Sequence, residues 1–298
     1  MFSNSKVVQD NIAIQDILKE QKLIKKEKLM NSKNMIFGGI VFLIIVICAF
    51  VIPAITGIDP NNMEAVNRLK GPSAEHWFGT DEYGRDLFTR VMYGAQVSLW
   101  VGLFVAFFSC LFGTIIGVLA SYYKWLDQLL MRICDGLISI PGILLAIALM
   151  TAFGNTSWNV IWALTLVYTP SVARMVRASA LVVKEQMYVE AAVVQGATNF
   201  RILWKYILPG VISPMIVQAT FIFAQSIIAE ASLSFLGAGI PAPDASWGNI
   251  LQGAKSVLTK APWTALFPGA CVILCVLSLN LFGDGLRDYL DPKTRKRS

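Results

Sequence analysis

Five long stretches of this 298-residue chain contain no aspartate, glutamate, lysine or arginine, and they limit the possible folds more than any other feature. The stretches are Asn34 to Ile58, Val91 to Tyr123, Gly136 to Ala173, Tyr206 to Ala229 (continuing past Glu230 to about Gly237), and Ala261 to Gly283. About 20 mainly apolar residues are enough to cross a ~30 Å hydrocarbon layer as a helix. Charged residues make up only 15% of the chain, whereas an ordinary soluble domain has about 25%. The stretches therefore predict membrane-spanning helices.

The third stretch, Gly136 to Ala173, is too long for one crossing at ~1.5 Å per residue. Gly154 and Asn155 near its middle are typical turn residues, so the stretch predicts two helices. The chain is thus expected to be all-α with six transmembrane helices. We expect a tail over 1–34, a first helix over 35–55, an exterior loop over 56–96, a five-helix core over 97–283 containing a basic loop over 174–212, and a tail over 284–298.

The distribution of lysine and arginine predicts the orientation. Nineteen of the 25 basic residues lie in 1–35, 122–136, 174–212 and the tail from Asp284, which this topology puts on one side. By the positive-inside rule both termini and the 174–212 loop are cytoplasmic, and the +6 charge reflects topology rather than nucleic-acid binding. Within the N-terminal tail, Ile14, Ile17, Leu18 and Ile24 recur at near-helical spacing between lysines, which favours a helix at the lipid surface.

The chain lacks the residue patterns of most catalytic sites. Its one histidine, His76, lies in the first exterior loop, and its five cysteines lie in or beside apolar stretches, as packing residues do. No Gly-Lys dipeptide occurs, so the phosphate-binding Gly-x-x-x-x-Gly-Lys-Ser/Thr loop of nucleoside triphosphatases is absent. We therefore expect a transport protein rather than an enzyme, with no cofactor or metal of its own.

Glu230 is the one ionisable residue inside a predicted span. A buried acid is costly in a bilayer, so it should contact protein or water and have a use. One interpretation is a proton or cation coupling site. The favoured one is a structural carboxylate near the outer end of the fifth span, paired with a hydroxyl group or a helix terminus.

Two segments outside the spans carry compact motifs. On the basic side, Glu190, Ala191 and Ala192 predict a short helix, Gly196 allows a sharp change of direction, and Leu208-Pro209 marks entry into the next span. On the exterior side, a group of residues has the spacing of a tight turn. We expect these residues to stabilise the loop rather than to recognise a substrate, and Arg85 can pair with either Asp81 or Asp86. This group consists of Gly79, Thr80, Asp81, Gly84, Arg85 and Asp86.

Together these motifs resemble the permeases of ABC importers. The 188–209 segment resembles their EAA loop, with Tyr206 in place of the usual isoleucine, and His76 to Arg90 is similar to the exterior signature of the peptide and nickel branch. Ala231 to Gly248 and Gly283 to Pro292 match its fifth-span exit and C-terminal ending, so the resemblance covers about residues 35 to 293. Gln96 and Thr89, where relatives often carry arginine and serine, are departures that concern subtype.

The resemblance implies the type I importer permease fold and specifically the C-type subunit of dipeptide and oligopeptide permeases, in a bacterial or archaeal cytoplasmic membrane. It implies three kinds of protein partner: a homologous second permease subunit, two ATPase subunits that bind ATP and Mg²⁺, and an extracytoplasmic binding protein. Glu190, Ala191, Ala192, Gly196, Leu208 and Pro209 would then form the ATPase coupling segment. Three alternatives stay open: a nickel or metal-chelate importer of the same family, a proton-coupled transporter that uses Glu230, and a membrane-embedded scaffold or receptor that shows no uptake.

Overall fold

The structure, a computed structural model, describes residues 32–290, and this part of the chain is built of helices with a single bridging pair between Thr80 and Asp86. The predicted lipid-surface helix around Ile14 to Ile24 lies outside the described residues. The helices are α1 (Lys33–Thr56), α2 (Leu87–Tyr122), α3 (Lys124–Ser139), α4 (Gly142–Phe153), α5 (Ser157–Lys184), α6 (Met187–Val194), α7 (Asn199–Arg201), α8 (Leu208–Phe235), α9 (Trp247–Ala254) and α10 (Trp263–Leu290).

Within residues 32–290, five helical segments are long and apolar enough to cross a membrane: α1, α2, α5, the Asn199–Phe235 segment that contains α8, and α10. The pair α3 and α4 meets the same criterion only when taken together, and it is bent by 92°. Counting that pair as one crossing gives the sixth predicted span. The turn predicted near Gly154 is present, with Thr156 capping α5 by accepting a hydrogen bond from the Asn159 N–H at 3.2 Å.

Three boundaries differ from the sequence-based expectation. Helix α2 begins at Leu87, inside the predicted exterior loop 56–96, because the Asp86 carboxylate caps it there. Helix α5 continues to Lys184, so the first part of the 174–212 loop is helical. The helix expected from Gly136 breaks at Ile140 and Pro141, because proline cannot supply the backbone N–H that a continuous helix needs.

Helix α2 is the centre of the bundle and packs against α5 and α8. Gly113 and Gly117 face α5 one turn apart, and a Cβ atom at Gly117 would lie 2.6 Å from the Ala173 carbonyl oxygen. Small residues four apart let two helices approach closely in a membrane, where packing rather than the hydrophobic effect holds helices together. This close approach fixes the position of α5. Helix α5 in turn positions the segment between α5 and α8, which lies on the predicted cytoplasmic side.

The outer faces of α1, α2 and α10 are apolar along their membrane-spanning parts. Their exposed side chains include Phe37, Leu43 and Ile47 on α1, Leu103, Phe107 and Leu111 on α2, and Leu266, Ile273 and Leu274 on α10. In a soluble protein so many exposed apolar residues would cause aggregation. These faces are suited to contact with lipid.

Candidate functional site

The segment between α5 and α8 contains the residues predicted to couple the chain to its ATPases. Glu190, Ala191 and Ala192 lie on α6 as expected, with Ala192 buried and Glu190 and Ala191 exposed. Helix α6 ends with Gly196 at φ +77°, and its Cβ position has no neighbour within 4 Å. The N–H groups of Gly196 and Ala197 bond the carbonyl oxygens of Val193 and Ala192 at 3.0 and 3.1 Å. This arrangement is a Schellman motif, which ends a helix and turns the chain.

Leu208 and Pro209 lie beyond a second helical stretch, at the start of α8. Helical structure begins earlier than Pro209, because α7 continues through a π-helical segment at Ile202–Ile207 into α8 without a break. Ile202 and Ile207 are buried, so this segment is packed on the bundle. The six predicted coupling residues therefore occupy two places: one group on α6 and its cap, the other at the base of α8.

Large apolar side chains project from the same region and were missed by the sequence analysis. Met187 and Val194 on α6 are 85% and 88% exposed, and Phe200 and Trp204, with ring centroids 6.0 Å apart, are 71% and 58% exposed. Their signal in the sequence is the presence of large apolar residues between the charged residues of the predicted 174–212 loop. Exposed apolar patches of this kind are typical of surfaces that contact another protein or the membrane.

The exterior group at 79–86 forms one tightly bonded turn. The Asp81 carboxylate accepts hydrogen bonds from the backbone N–H groups of Tyr83 and Arg85 at 2.8 and 3.0 Å, and from Arg85 Nε at 2.6 Å. Gly79 and Gly84 have φ of +76° and +74°, and a Cβ atom at Gly84 would overlap the Glu64 carbonyl oxygen. Of the two acids, Arg85 thus pairs with Asp81.

Thr80 and Asp86 fix the rest of that turn. The Thr80 hydroxyl accepts from the Lys70 N–H at 2.8 Å and donates to the Asn67 carbonyl oxygen. Asp86 caps α2 by accepting from the backbone N–H and the hydroxyl of Thr89, each at 2.8 Å, and it lies 3.0 Å from His76 Nδ1. All six residues of the group are engaged in local structure, as the architectural interpretation expects.

The two departures from the family pattern have local partners as well. Thr89 keeps the hydroxyl that serine would supply and uses it on Asp86. Gln96 donates from Nε2 to the Ala49 carbonyl oxygen at 2.7 Å and so ties α2 to α1.

Replacing Arg85 by methionine should lower the stability of the assembled protein and leave its substrate preference unchanged. The substitution leaves the Asp81 carboxylate, which is 13% exposed, without its closest cation. Loss of one such charged hydrogen bond costs about 1–3 kcal/mol. Thermal unfolding in detergent measures the effect, and Arg68→Met, at an exposed arginine of the same loop, is the control. A changed substrate preference with unchanged stability would contradict the architectural role.

Glu230 is completely buried and joins three elements. Its Oε2 accepts a hydrogen bond from the Ser98 hydroxyl on α2, and its Oε1 accepts one from the Ser234 hydroxyl on α8, both at 2.8 Å. The Ser98 Oγ in turn accepts a hydrogen bond from the backbone N–H of Trp247 on α9 at 3.4 Å. The Ser234 Oγ accepts one from the backbone N–H of Ile240 at 3.0 Å. Both carboxylate oxygens are satisfied within the protein, which favours the structural interpretation of this residue.

Comparison with known proteins identifies the class. Residues 109–296 match the family described as binding-protein-dependent transport system inner membrane component. The chain belongs to this family, and it is therefore the membrane-spanning permease component of a transport system, not an enzyme by itself, in the cytoplasmic membrane. Membership in this family implies association with ATPase and substrate-binding components.

Individual relatives cover most of the chain. A Brucella suis protein assigned to a peptide transport system is 49% identical over 88% of this chain and 89% of its own. The dipeptide transport system permease protein DppC of Alkalihalophilus pseudofirmus is 43% identical, with 89% and 87% covered. The glutathione transport system permease protein GsiD of Pectobacterium atrosepticum is 42% identical, with 86% of each chain covered.

Among solved structures, the fold is similar to a chain of the MetNI methionine ABC transporter in an inward-facing conformation. The TM-score is 0.58 at 20% identity, and the match covers 68% of this chain and 96% of the other. This confirms the expected type I importer permease fold.

Proposed function

We propose that this chain is the permease subunit of an ATP-driven importer that moves dipeptides or oligopeptides across the cytoplasmic membrane. The observation that carries the proposal is the agreement of relatives, 42–49% identical over 86–89% of the chain, whose names refer to peptide, dipeptide or glutathione transport. Glutathione is itself a small peptide, so these names describe one class of substrate.

The specific partners in the proposal are a homologous second permease, two ATPase subunits and an extracytoplasmic binding protein. ATP and Mg²⁺ would be bound by the ATPase subunits. Met187, Val194 and Phe200 supply the apolar surface on which an ATPase subunit docks, and α6 is the coupling helix. Movement at α6 passes through the turn at Gly196 and then reaches the membrane along α7, the π-helical segment and α8, which form one helical stretch.

Energy from ATP can shift a transporter between two states only through contacts that differ between those states. An ATPase dimer that opens and closes against α6 would provide such contacts. The permease would then expose its path to one side of the membrane and then to the other, while the binding protein delivers substrate outside.

Substrate competition tests this function. The permease pair, the ATPases and the binding protein are reconstituted in proteoliposomes, and ATP-dependent uptake of labelled trialanine is measured. We expect uptake that unlabelled dipeptides and tripeptides inhibit. Uptake of a nickel–histidine chelate in place of trialanine would assign the chain to the metal-chelate branch and overturn the peptide assignment.

A further inference from the structure

One face of α8 carries uncharged polar residues at a fixed spacing. Gln218, Gln225 and Ser232 are seven residues apart, which is close to two helical turns, so they share one face with a drift of only ~20° per step and lie ~10.5 Å apart. We call this row the polar stripe. The adjoining face of α8, which includes Ile222, Ser226 and Glu230, is buried.

The polar stripe is open to its surroundings at its middle member. Gln225 is exposed, while Gln218 and Ser232 are half-buried. Within the part of the chain that the structure describes, the Gln225 carboxamide makes no hydrogen bond, and the residue's backbone oxygen accepts one from the Tyr168 hydroxyl at 3.2 Å. An unpaired amide near the middle of a membrane helix is costly in hydrocarbon, where no water can bond it.

This face therefore differs from the lipid-facing surfaces. The exposed side chains along the middle of α1, α2 and α10 are apolar, as in Leu43, Phe107 and Leu274. Beside the polar stripe, α4, α5 and α8 line an open pocket of about 300 Å³, with Tyr168, Gln225 and Ser232 among apolar residues. Polar groups and an open pocket at the same place indicate contact with water and solute.

We propose that the polar stripe lines the aqueous path of the transporter and bonds the backbone of the passing peptide. A carboxamide offers both donors and an acceptor, as a peptide group does. An extended peptide advances ~3.4 Å per residue, so neighbouring members of the stripe are about three peptide residues apart. The nearest acid, Glu230, points into the bundle, so this face carries no charge that would select among peptide side chains.

The inference rests on the proposed function for the identity of the solute. Water and the passing peptide occupy this face. If a helix of the second permease subunit covered the stripe instead, Gln225 would be sealed in the assembled complex.

Cysteine labelling in the complete transporter tests the path. Gln218→Cys, Gln225→Cys and Ser232→Cys are each exposed to a charged, membrane-impermeant methanethiosulfonate on both faces of membrane vesicles. The reactive species is the thiolate, and each unit by which an apolar environment raises a thiol pKa lowers the thiolate fraction about tenfold. We expect Gln225→Cys to react at least about tenfold faster than the lipid-facing control Leu274→Cys. The protein with its native cysteines alone gives the background.

Protection and uptake complete the test. With binding protein, ATP and trialanine present, labelling of Gln225→Cys should slow, and Gln225→Leu should lower trialanine uptake several-fold more than Gln225→Asn while assembly is intact. Three unreactive stripe cysteines, or a disulfide between the stripe and the second permease, would overturn the path. Labelling without protection would overturn the peptide contact. Uptake by the unmodified transporter is measured in parallel, because its absence would instead count against the proposed function.

Discussion

Replacing Glu230 by leucine should remove most of the folded transporter from the membrane. The carboxylate is the shared acceptor for the hydroxyls of Ser98 and Ser234. These hydroxyls also hold the Trp247 and Ile240 N–H groups of the 236–254 segment. Leaving a buried donor unsatisfied costs about 1–3 kcal/mol for each group. Since two hydroxyls lose their partner at once, α9 and the end of α8 should separate from α2. The amount of protein extracted from membranes and its unfolding temperature measure the loss.

Glu230→Gln is the matched control, and it separates the two interpretations of this residue. Glutamine keeps an acceptor oxygen of nearly the same reach but carries no titratable proton. If the role is structural, Glu230→Gln should accumulate far better than Glu230→Leu and retain most ATP-dependent uptake. If Glu230 carried a coupling proton, Glu230→Gln would be well folded and inactive, and that result would contradict the structural role.

Replacing Gly196 by valine should uncouple transport from ATP hydrolysis. The glycine has φ +77°, a conformation that costs an L-residue about 1–2 kcal/mol and is worse for a β-branched one. The Cβ position is open, so the strain acts on the backbone and displaces the turn that orients α6. A penalty of 1.36 kcal/mol is a factor of about ten in an equilibrium, and we expect a comparable fall in uptake together with weaker retention of the ATPase subunits.

Gly196→Asn is the control for this substitution, because asparagine tolerates the left-handed region. It should retain most of the uptake and the ATPase association. Normal transport and intact assembly in Gly196→Val would refute the claim that this turn positions a coupling helix.

The spans could be predicted from the sequence because a membrane helix is defined by composition over about 20 residues. The break at Ile140 and Pro141 was missed, because the stretch remains apolar across it and only the fold determines whether a proline bends a helix or ends it. Pro209 shows the reverse case. The sequence predicts entry into a span at Pro209, and the structure shows that helical structure begins earlier, at Asn199, and continues through a π-helical segment into α8.

Among the site residues, contacts within a short stretch of sequence could be predicted, and contacts between distant parts of the chain could not. The turn at Gly196 and an ion pair between Arg85 and one of two nearby acids are local in sequence and could be predicted, whereas the choice of Asp81 comes from the structure. Ser98 lies 132 residues from Glu230, and nothing in a single sequence links residues so far apart. The seven-residue spacing of the polar stripe is visible in the sequence, but only packing determines which face of α8 is exposed.

The most direct test of the coupling account compares two energy sources in the same proteoliposomes. The permease pair is reconstituted with its ATPases and binding protein, and trialanine uptake is measured once with ATP and once with an imposed pH gradient alone. We expect uptake with ATP that a protonophore does not reduce, and no accumulation from the pH gradient. Uptake driven by the pH gradient in the absence of ATP would contradict the account and would assign the energy coupling to a proton.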